Sequence, residues 1–298
     1  MDINLELYKI FYYTAKFQSF SHAAEKLYIS QSAVSQSIKN LERKLNGQLF
    51  LRSKRSVQLT TEGEILFKHI EQAFNFIHAA ETKLSELQNL NLGEVRIGVG
   101  DTICKYFLIP LLQAFNTKYP KVKIQVINRT SSQILDLLKT GLIDLGIVTL
   151  PVSEKNISVT DFITVEDIFV ASNKFESLKE RKINLEELSK YPLLMLPKES
   201  ATRRNIDKFL KLKNIEITPE IELDSIDLLL EFSKIGLGIA HVLKESANLA
   251  IKNGELFRIE TWQTLSPRKI GVATMTNLPL SNASREFAHF LNQNSLSV

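Results

Sequence analysis

Hydrophobic positions along the chain fall into stretches of different period, and each period predicts a different kind of element. Residues 4–60 carry short helical periods broken by Ser and Asn, ending in a small two-strand pattern around residues 52–55. Ser21 can cap a first helix whose Ala23, Ala24 and Leu27 are small or apolar enough for close packing, residues 28–30 supply a turn, and Ser30 caps a second helix. Val34, Ile38, Leu41 and Leu45 then recur at steps of four, three and four, which gathers them into one buried stripe.

A long uninterrupted helix follows over residues 61–90. Thr61 starts it, and Glu64 completes a capping box in which each side chain satisfies an otherwise unpaired backbone N–H. Leu66, Ile70, Ala73, Ile77, Ala80, Leu84 and Leu87 alternate steps of four and three, a heptad seam. A helix of roughly 45 Å cannot bury such a stripe against itself, so the seam predicts a partner helix, most simply from a second copy of the chain. Packing on its own domain is the alternative. Asn89, Asn91 and Gly93 break the pattern where a new domain begins.

From residue 94 onward strands and helices alternate, which predicts an α/β architecture with parallel sheets. The first block has strands near 95–99, 122–127 and 144–148, a helix over 105–118, and a second helix capped by Ser131 or Ser132 and ending near Lys139. The second block has strands near 168–171, 193–196 and 239–242 and helices near 203–212 and 226–235. A strand at 270–275 and a closing helix at 284–291 end the pattern, and sequence order leaves open which block that strand joins.

Charge adds a function class to this picture. The 298 residues carry a net charge of +4 and are 44% hydrophobic, enough for real cores. Residues 1–60 hold nine Lys/Arg against four Asp/Glu, so the head is at +5 and the remainder near −1. A basic head on a near-neutral body suits a protein that meets a polyanion with its head alone. No run reaches a membrane-spanning length of roughly 18 apolar residues, no export signal or anchor is visible, and Cys104 is the single cysteine, so a reducing cytoplasm is the expected compartment.

Opposite the buried stripe of the second helix lie Ser32, Ser35, Gln36, Lys39 and Arg43. Ser and Gln can donate to and accept from base edges in a major groove, while Lys39 and Arg43 suit phosphates. Arg52, Lys54 and Arg55 sit at the tip of a hairpin, where a wing reaches the flanking backbone or minor groove. The run SFSHAAEKLYISQSAVSQSIKNLERKLNGQLFLRSKRSVQLTTEG at residues 19–63 therefore reads as helix, turn, helix, wing.

That run, the long helix and the two α/β blocks together resemble a LysR-type transcriptional regulator over the whole chain. The motif positions matched include Phe20, Ala23, Ala24, Leu27, Gln31, Ser32, Ala33, Ser35, Leu41, Glu42, Leu49, Phe50, Arg52, Leu59, Thr60 and Gly63. Gln36 departs from the Arg often found there, so contacts at that position do not carry over. The resemblance implies a winged helix-turn-helix DNA-binding domain over 1–60 (helix-turn-helix about 19–40) and a linker and dimerisation helix over 61–90. It further implies a two-lobed, periplasmic-binding-protein-like and Rossmann-like effector domain, with lobe I over 93–163 plus 268–298 and lobe II over 164–267. The implied partners are double-stranded DNA bearing an interrupted dyad, a small-molecule effector, a second copy as homodimer or a tetramer, and RNA polymerase. Gln31, Ser32, Ser35, Gln36, Lys39, Arg43, Arg52, Lys54 and Arg55 are the expected DNA-binding residues.

Parallel sheets bind ligands at the carboxyl ends of their strands. Those ends offer Asp101 and Thr102, the stretch 129–132 with Arg129, Ser131 and Ser132, and Thr149 in the first block, and the stretch 197–202 with Pro197 and Thr202, then Asp224 and Ser225, and His241 in the second. Several open helices, whose free N–H groups favour an anion, so a small carboxylate is the expected effector. Arg129, Arg203 or Arg204 would neutralise it by facing inward. Cys104 near this rim makes redox sensing the alternative signal, although no second cysteine is present to resolve a sulfenic acid. The five His show no metal spacing, and neither metal nor cofactor is expected. An α/β enzyme is the competing class. It finds no Gly-x-Ser-x-Gly elbow, no phosphate-cradling glycine loop and no His-Glu-x-x-His, and Gly236 with Gly238 is too little alone. A solute receptor without regulation would leave the basic head unexplained.

Overall fold

The computed structural model describes residues 3–52, 57–88 and 93–294; the side chains of Arg52, Ala79, Thr82, Lys83 and residues 85–88 lie outside that description. The chain divides into two units, Met1–Leu84 and Ser85–Val298, taken here in turn.

The first unit comprises α1 (Leu5–Phe17), α2 (Phe20–Leu27), α3 (Gln31–Leu45), a hairpin of β1 (Phe50–Arg52) and β2 (Val57–Leu59), and α4 (Thr61–Gln88). Its core gathers Phe11, Ala23, Val34, Ile38, Leu41 and Phe50, with Phe11 and Phe20 each about one ring from Phe50 at centroid distances of 5.5 and 5.7 Å. Ser30 caps α3, its hydroxyl accepting the Ala33 N–H at 3.2 Å. Ser21 does not cap α2. That role falls to Ser19, which accepts from His22 N–H at 3.2 Å, because Phe20 joins the helix to reach Phe50.

The entry to α4 also differs from expectation. Thr60, not Thr61, is the cap: its hydroxyl accepts the Gly63 N–H at 3.0 Å and donates to the Gln48 carbonyl at 2.6 Å. Glu64 therefore falls one residue past the position a capping box needs. The Thr60 N–H donates to Leu49 O at 3.0 Å, and the Glu42 carboxylate accepts the N–H groups of Leu49 and Phe50 at 2.9 and 3.3 Å. Residues Glu42, Leu49, Thr60 and Gly63 thus form one knot joining α3, the hairpin and α4. Along α4, Leu66 and Ile70 are half-buried against the first unit's own core, as is Phe67. Phe67 and Phe74 meet Tyr12 of α1 at 5.9 and 5.2 Å. The early part of the proposed seam is thereby covered within the chain, while Ala73, Ile77, Ala80 and Leu84 are exposed. Leu87 lies outside the described side chains.

The second unit holds two mixed sheets. β3 (Glu94–Val99) leads into α5 (Asp101–Ile103), a π turn over Cys104–Leu108 and α6 (Ile109–Lys118); β4 (Lys123–Asn128), α7 (Ser131–Lys139), β5 (Leu145–Thr149) and β6 (Ile157–Val165) follow. The chain then builds β7 (Asp167–Ala171), β8 (Leu193–Met195), α8 (Ala201–Leu212), β9 (Ile221–Glu222), α9 (Ile226–Lys234), β10 (Ile239–Leu243), α10 (Lys244–Lys252) and β11 (Phe257–Ile259). It returns through β12 (Arg268–Met275) and ends in α11 (Asn282–Asn294). The sheet orders are β4-β3-β5-β12-β6 and β11-β7-β10-β8-β9.

The last strand joins the first sheet, antiparallel to both β5 and β6, and β7 is antiparallel to β10, so neither sheet is purely parallel as expected. β9 and β11 are too short to show a period, and β6 has an exposed flank at a sheet edge. One apolar core runs through both lobes, joining Ile97, Leu145, Phe115 and Phe287 of the first to Leu194, Leu229 and Val242 of the second. The crossover residues Val165 and Ile168 belong to it.

A Cβ at position 63 would lie 2.2 Å from the Leu49 carbonyl oxygen. Gly63→Ala should therefore cost about 1–3 kcal/mol of first-unit stability in a urea titration. Gly47→Ala, where the nearest atom would be 3.9 Å away, should stay within a few tenths of the parent.

Candidate functional site

The first site is the outward side of α3. Because Val34, Ile38 and Leu41 are fully buried, the helix is fixed in rotation. Ser32, Ser35, Gln36, Lys39 and Arg43 then occupy one face spanning about 100°. Gln31, Ser32, Gln36, Lys39 and Arg43 are exposed and Ser35 is half-buried. Ser32 Oγ lies 2.9 Å from Ser30 Oγ, and Arg43 donates to Asn40 Oδ1 at 3.0 Å, which leaves further donors on its guanidinium. Lys54 and Arg55 lie outside the described residues, as does the Arg52 side chain.

The second site is a cleft of about 190 Å³ between the two lobes of the second unit. Asp101, Thr102, Arg129, Ser131 and Thr149 line it from lobe I, and Pro197 and Thr202 from lobe II, as the sequence reading expected. Ser132 turns to solvent, and Ser225 is spent capping α9 through the Leu228 N–H at 3.4 Å while its neighbour Asp224 lines the cleft. His241 is not a cleft residue: it is 2% exposed and its ring packs, tilted, at 4.9 Å from the Phe169 ring within the lobe II interior. Thr130, Glu199 and Ser200, inside the stretches 129–132 and 197–202 that the strand ends offered, line the cleft too, and Arg268 and Ile270 line it without having been expected there. For Thr130 and Ser200 the available signal was helix capping, since these residues, not Ser131 or Ser132, cap α7 and α8.

The capping assignments matter for chemistry. Thr130 forms the full box with Gln133, which releases Ser131; its hydroxyl accepts the Thr149 N–H at 3.2 Å and keeps its proton for the cleft. Thr202 is 8% exposed, lines the cleft and makes no hydrogen bond within the described residues. The first turns of α7 and α8 thus face one cavity from opposite lobes.

Two of the three expected arginines, Arg203 and Arg204, are not free to meet a ligand. Arg203 is buried and fully engaged, bonding Asp207 at 2.8 Å, Glu222 at 2.6 Å and the Leu196 carbonyl at 3.0 Å. Arg204 donates to Glu199 O at 2.6 Å, and Arg129, exposed at the rim, donates to Asn128 O at 2.7 Å. The buried cation at the cleft is Arg268, whose guanidinium grips both carboxylate oxygens of Asp167 at 2.5 and 2.8 Å with both side chains 4% exposed. Between the two lobes, Lys105 bonds Asp227 of α9 at 2.7 Å. Burial, and after it the charge of Asp101, push the Cys104 thiol up from its ordinary value, which disfavours the reactive thiolate. Among the described residues no three His, Cys, Asp or Glu side chains gather as a metal-binding group, and no helix is long and apolar enough to cross a membrane.

Comparison with known proteins places both units in one family. Residues 5–64 match the bacterial regulatory helix-turn-helix of the lysR family, and residues 88–295 match the LysR substrate binding domain. The chain belongs to the LysR family of transcriptional regulators. It is 31% identical to a probable RuBisCO transcriptional regulator of Cyanidium caldarium over 91% of this chain and 87% of that one. It is 29% identical to the transcriptional activator CmpR of Synechocystis, covering 86% and 84% of the two chains. Among solved structures it superposes on full-length CbnR bound to its target DNA with a TM-score of 0.72 at 17% identity, over 98% of this chain and 100% of that one. A full-length OxyR of Pseudomonas aeruginosa gives 0.69 at 20% identity over 99% and 95%. At such identities these structures speak for the fold.

In this LysR-family regulator the lobe II interior sets a pH limit. His241 sits among Phe169, Asp167, Arg268, Asp207 and Arg203, and burial pushes its pKa from 6.5 down to about 4. The folded protein resists a proton that the unfolded chain accepts, so stability is complete above about pH 6.5 and falls as the pH drops toward 4. The full loss is on the order of 3 kcal/mol. Urea unfolding of the second unit's transition at several pH values should show this slope, and His241→Gln should flatten it; a parallel slope in the variant would remove His241 as its source.

Proposed function

We propose that this regulator reads duplex DNA with the outward face of α3 and that a small anionic effector bound in the interlobe cleft controls that binding. The observation that carries the effector reading is Thr202, a largely buried residue in the first turn of α8 that lines the cleft opposite the first turn of α7 and whose hydroxyl has no hydrogen-bond partner among the described residues. Helix-start N–H groups and the hydroxyls of Thr102, Ser131 and Thr202 supply donors for a carboxylate. Asp101, Glu199 and Asp224 stand at the same cleft, so a single carboxylate accompanied by donor groups fits better than a polyanion. The raised thiol pKa at Cys104 counts against redox sensing as the signal. The exposed Ala73, Ile77, Ala80 and Leu84 of α4 support a homodimer, and a dimer matches an interrupted dyad in the DNA.

Effector and DNA affinities are linked, so an effector that favours one lobe arrangement shifts DNA binding by its differential affinity and no more. A thermal-shift screen against small metabolites should find stabilisation by carboxylates, lost in Thr202→Val. Binding confined to neutral or cationic compounds would refute the anion reading. On DNA, Ser35→Ala or Gln36→Ala should weaken specific binding by about 1–3 kcal/mol while sparing nonspecific binding, whereas Arg52→Ala should weaken both and flatten the salt dependence. Footprinting and salt titrations distinguish the two classes.

A further inference from the structure

Tyr28 occupies the turn between α2 and α3, and the residue is 95% exposed. Among the described residues it forms no hydrogen bond, ring contact or cation contact, so the side chain contributes nothing to the fold. The backbone is also unfavourable for it. Tyr28 is the left-handed C-cap of α2, at φ 57° and ψ 39°, with its N–H directed to the carbonyls of Ala24 and Glu25. Glycine or asparagine holds such a cap with less strain. An aromatic residue that packs on nothing and strains its own turn is explained by a partner outside the chain.

Its location specifies the partner. Two residues later Ser30 caps α3, and the first turns of α3 present Ser32, Ser35 and Gln36. When a recognition helix enters a major groove by its N-terminal turns, the turn before it lies beside the groove's edge, where the sugar-phosphate backbone runs. We infer that Tyr28 is a DNA-backbone contact: its hydroxyl donates to a phosphate oxygen and its ring lies along the adjoining deoxyribose. The inference rests on the reading of α3 as the recognition helix.

A phenol differs from Lys39 or Arg43 in a measurable way. A neutral hydroxyl holds a phosphate without displacing a counterion, so it adds affinity without adding to the salt slope. A phosphate contact carries no base information, so the gain is the same on any sequence.

The test compares full-length parent, Tyr28→Phe and Tyr28→Asn by fluorescence anisotropy over a range of salt, on a labelled duplex of random sequence and on one carrying the DNA upstream of the protein's own gene. Tyr28→Phe should weaken binding to both duplexes by roughly threefold to tenfold, the worth of one hydrogen bond. Tyr28→Asn should weaken it further, with the salt slope unchanged in both variants. The melting temperature of Tyr28→Asn should equal or exceed the parent's, because asparagine suits the left-handed cap. Parent-like affinity in both variants would overturn the inference, as would a lost affinity that tracks a lowered melting temperature or a changed salt slope. Gln36→Ala and Lys39→Ala separate the two levels of the argument. If they lose affinity while the Tyr28 variants do not, only the Tyr28 contact fails; if they too bind normally, the assignment of α3 fails.

Discussion

The second unit depends on one buried ion pair. Arg268 opens β12 and Asp167 opens β7, 101 residues apart, at the place where the chain crosses between the two sheets. Lobe I is discontinuous in sequence: β12 must return from lobe II and insert between β5 and β6. Apolar residues alone would leave that return tolerant of slippage, since Ile270 and Val272, and the Ile147 that Val272 faces on β5, are similar in kind. A two-point grip between buried groups is not tolerant, because a displaced register would strand two charges away from water. Removing either partner alone carries the same penalty, so the pair specifies the arrangement more than it adds to net stability.

The same pair shapes the cleft's chemistry. Arg268 lines the cavity, yet its charge is already matched by Asp167, and the other candidate, Arg203, is held by Asp207 and Glu222. What remains for a ligand is backbone N–H groups and hydroxyls from two facing helix starts and the exposed guanidinium of Arg129 at the rim, with carboxylates at the same cleft. Such a site selects by geometry and by donor count, and it depends on both lobes being present at once. The Lys105–Asp227 pair between the lobes and the apolar core that runs through both hold the two lobes at one spacing in this structure.

In the first unit an apolar constraint plays the corresponding part. Val34, Ile38 and Leu41 lock the rotation of α3, and the Glu42, Thr60 and Gly63 knot ties its end to the hairpin and to α4. Gly63 is required there because the Leu49 carbonyl occupies the space of a side chain. Several residues that read in the sequence as family motif are thus fold residues, and the polar face between them is left free to vary. Gln36 stands on that free face.

The periods and caps of the sequence determined much of this. The buried stripe of α3, its Ser30 cap, its polar outer face and most of the strands and helices of the second unit were legible, because they depend on spacing within a few residues. Most of the residues expected at the cleft do line it, since strand ends and helix starts are local features. Tertiary structure decided the rest. Which serine caps α2, which threonine caps α4, and where Leu66 and Ile70 find cover all depend on neighbours distant in the chain: Phe50, Leu49 with Gln48, and the first unit's core; the Thr130 box on α7 is local, and only the use of Ser131 by Thr149 is supplied from afar. His241 was misplaced because a strand-end residue can face a cleft or an interior, and only the packing of Phe169 and α8 on that sheet face chose the interior. The fate of the arginines was equally hidden, for a charge shows in sequence while its partner, as far away as Asp167 is from Arg268, is supplied by the fold.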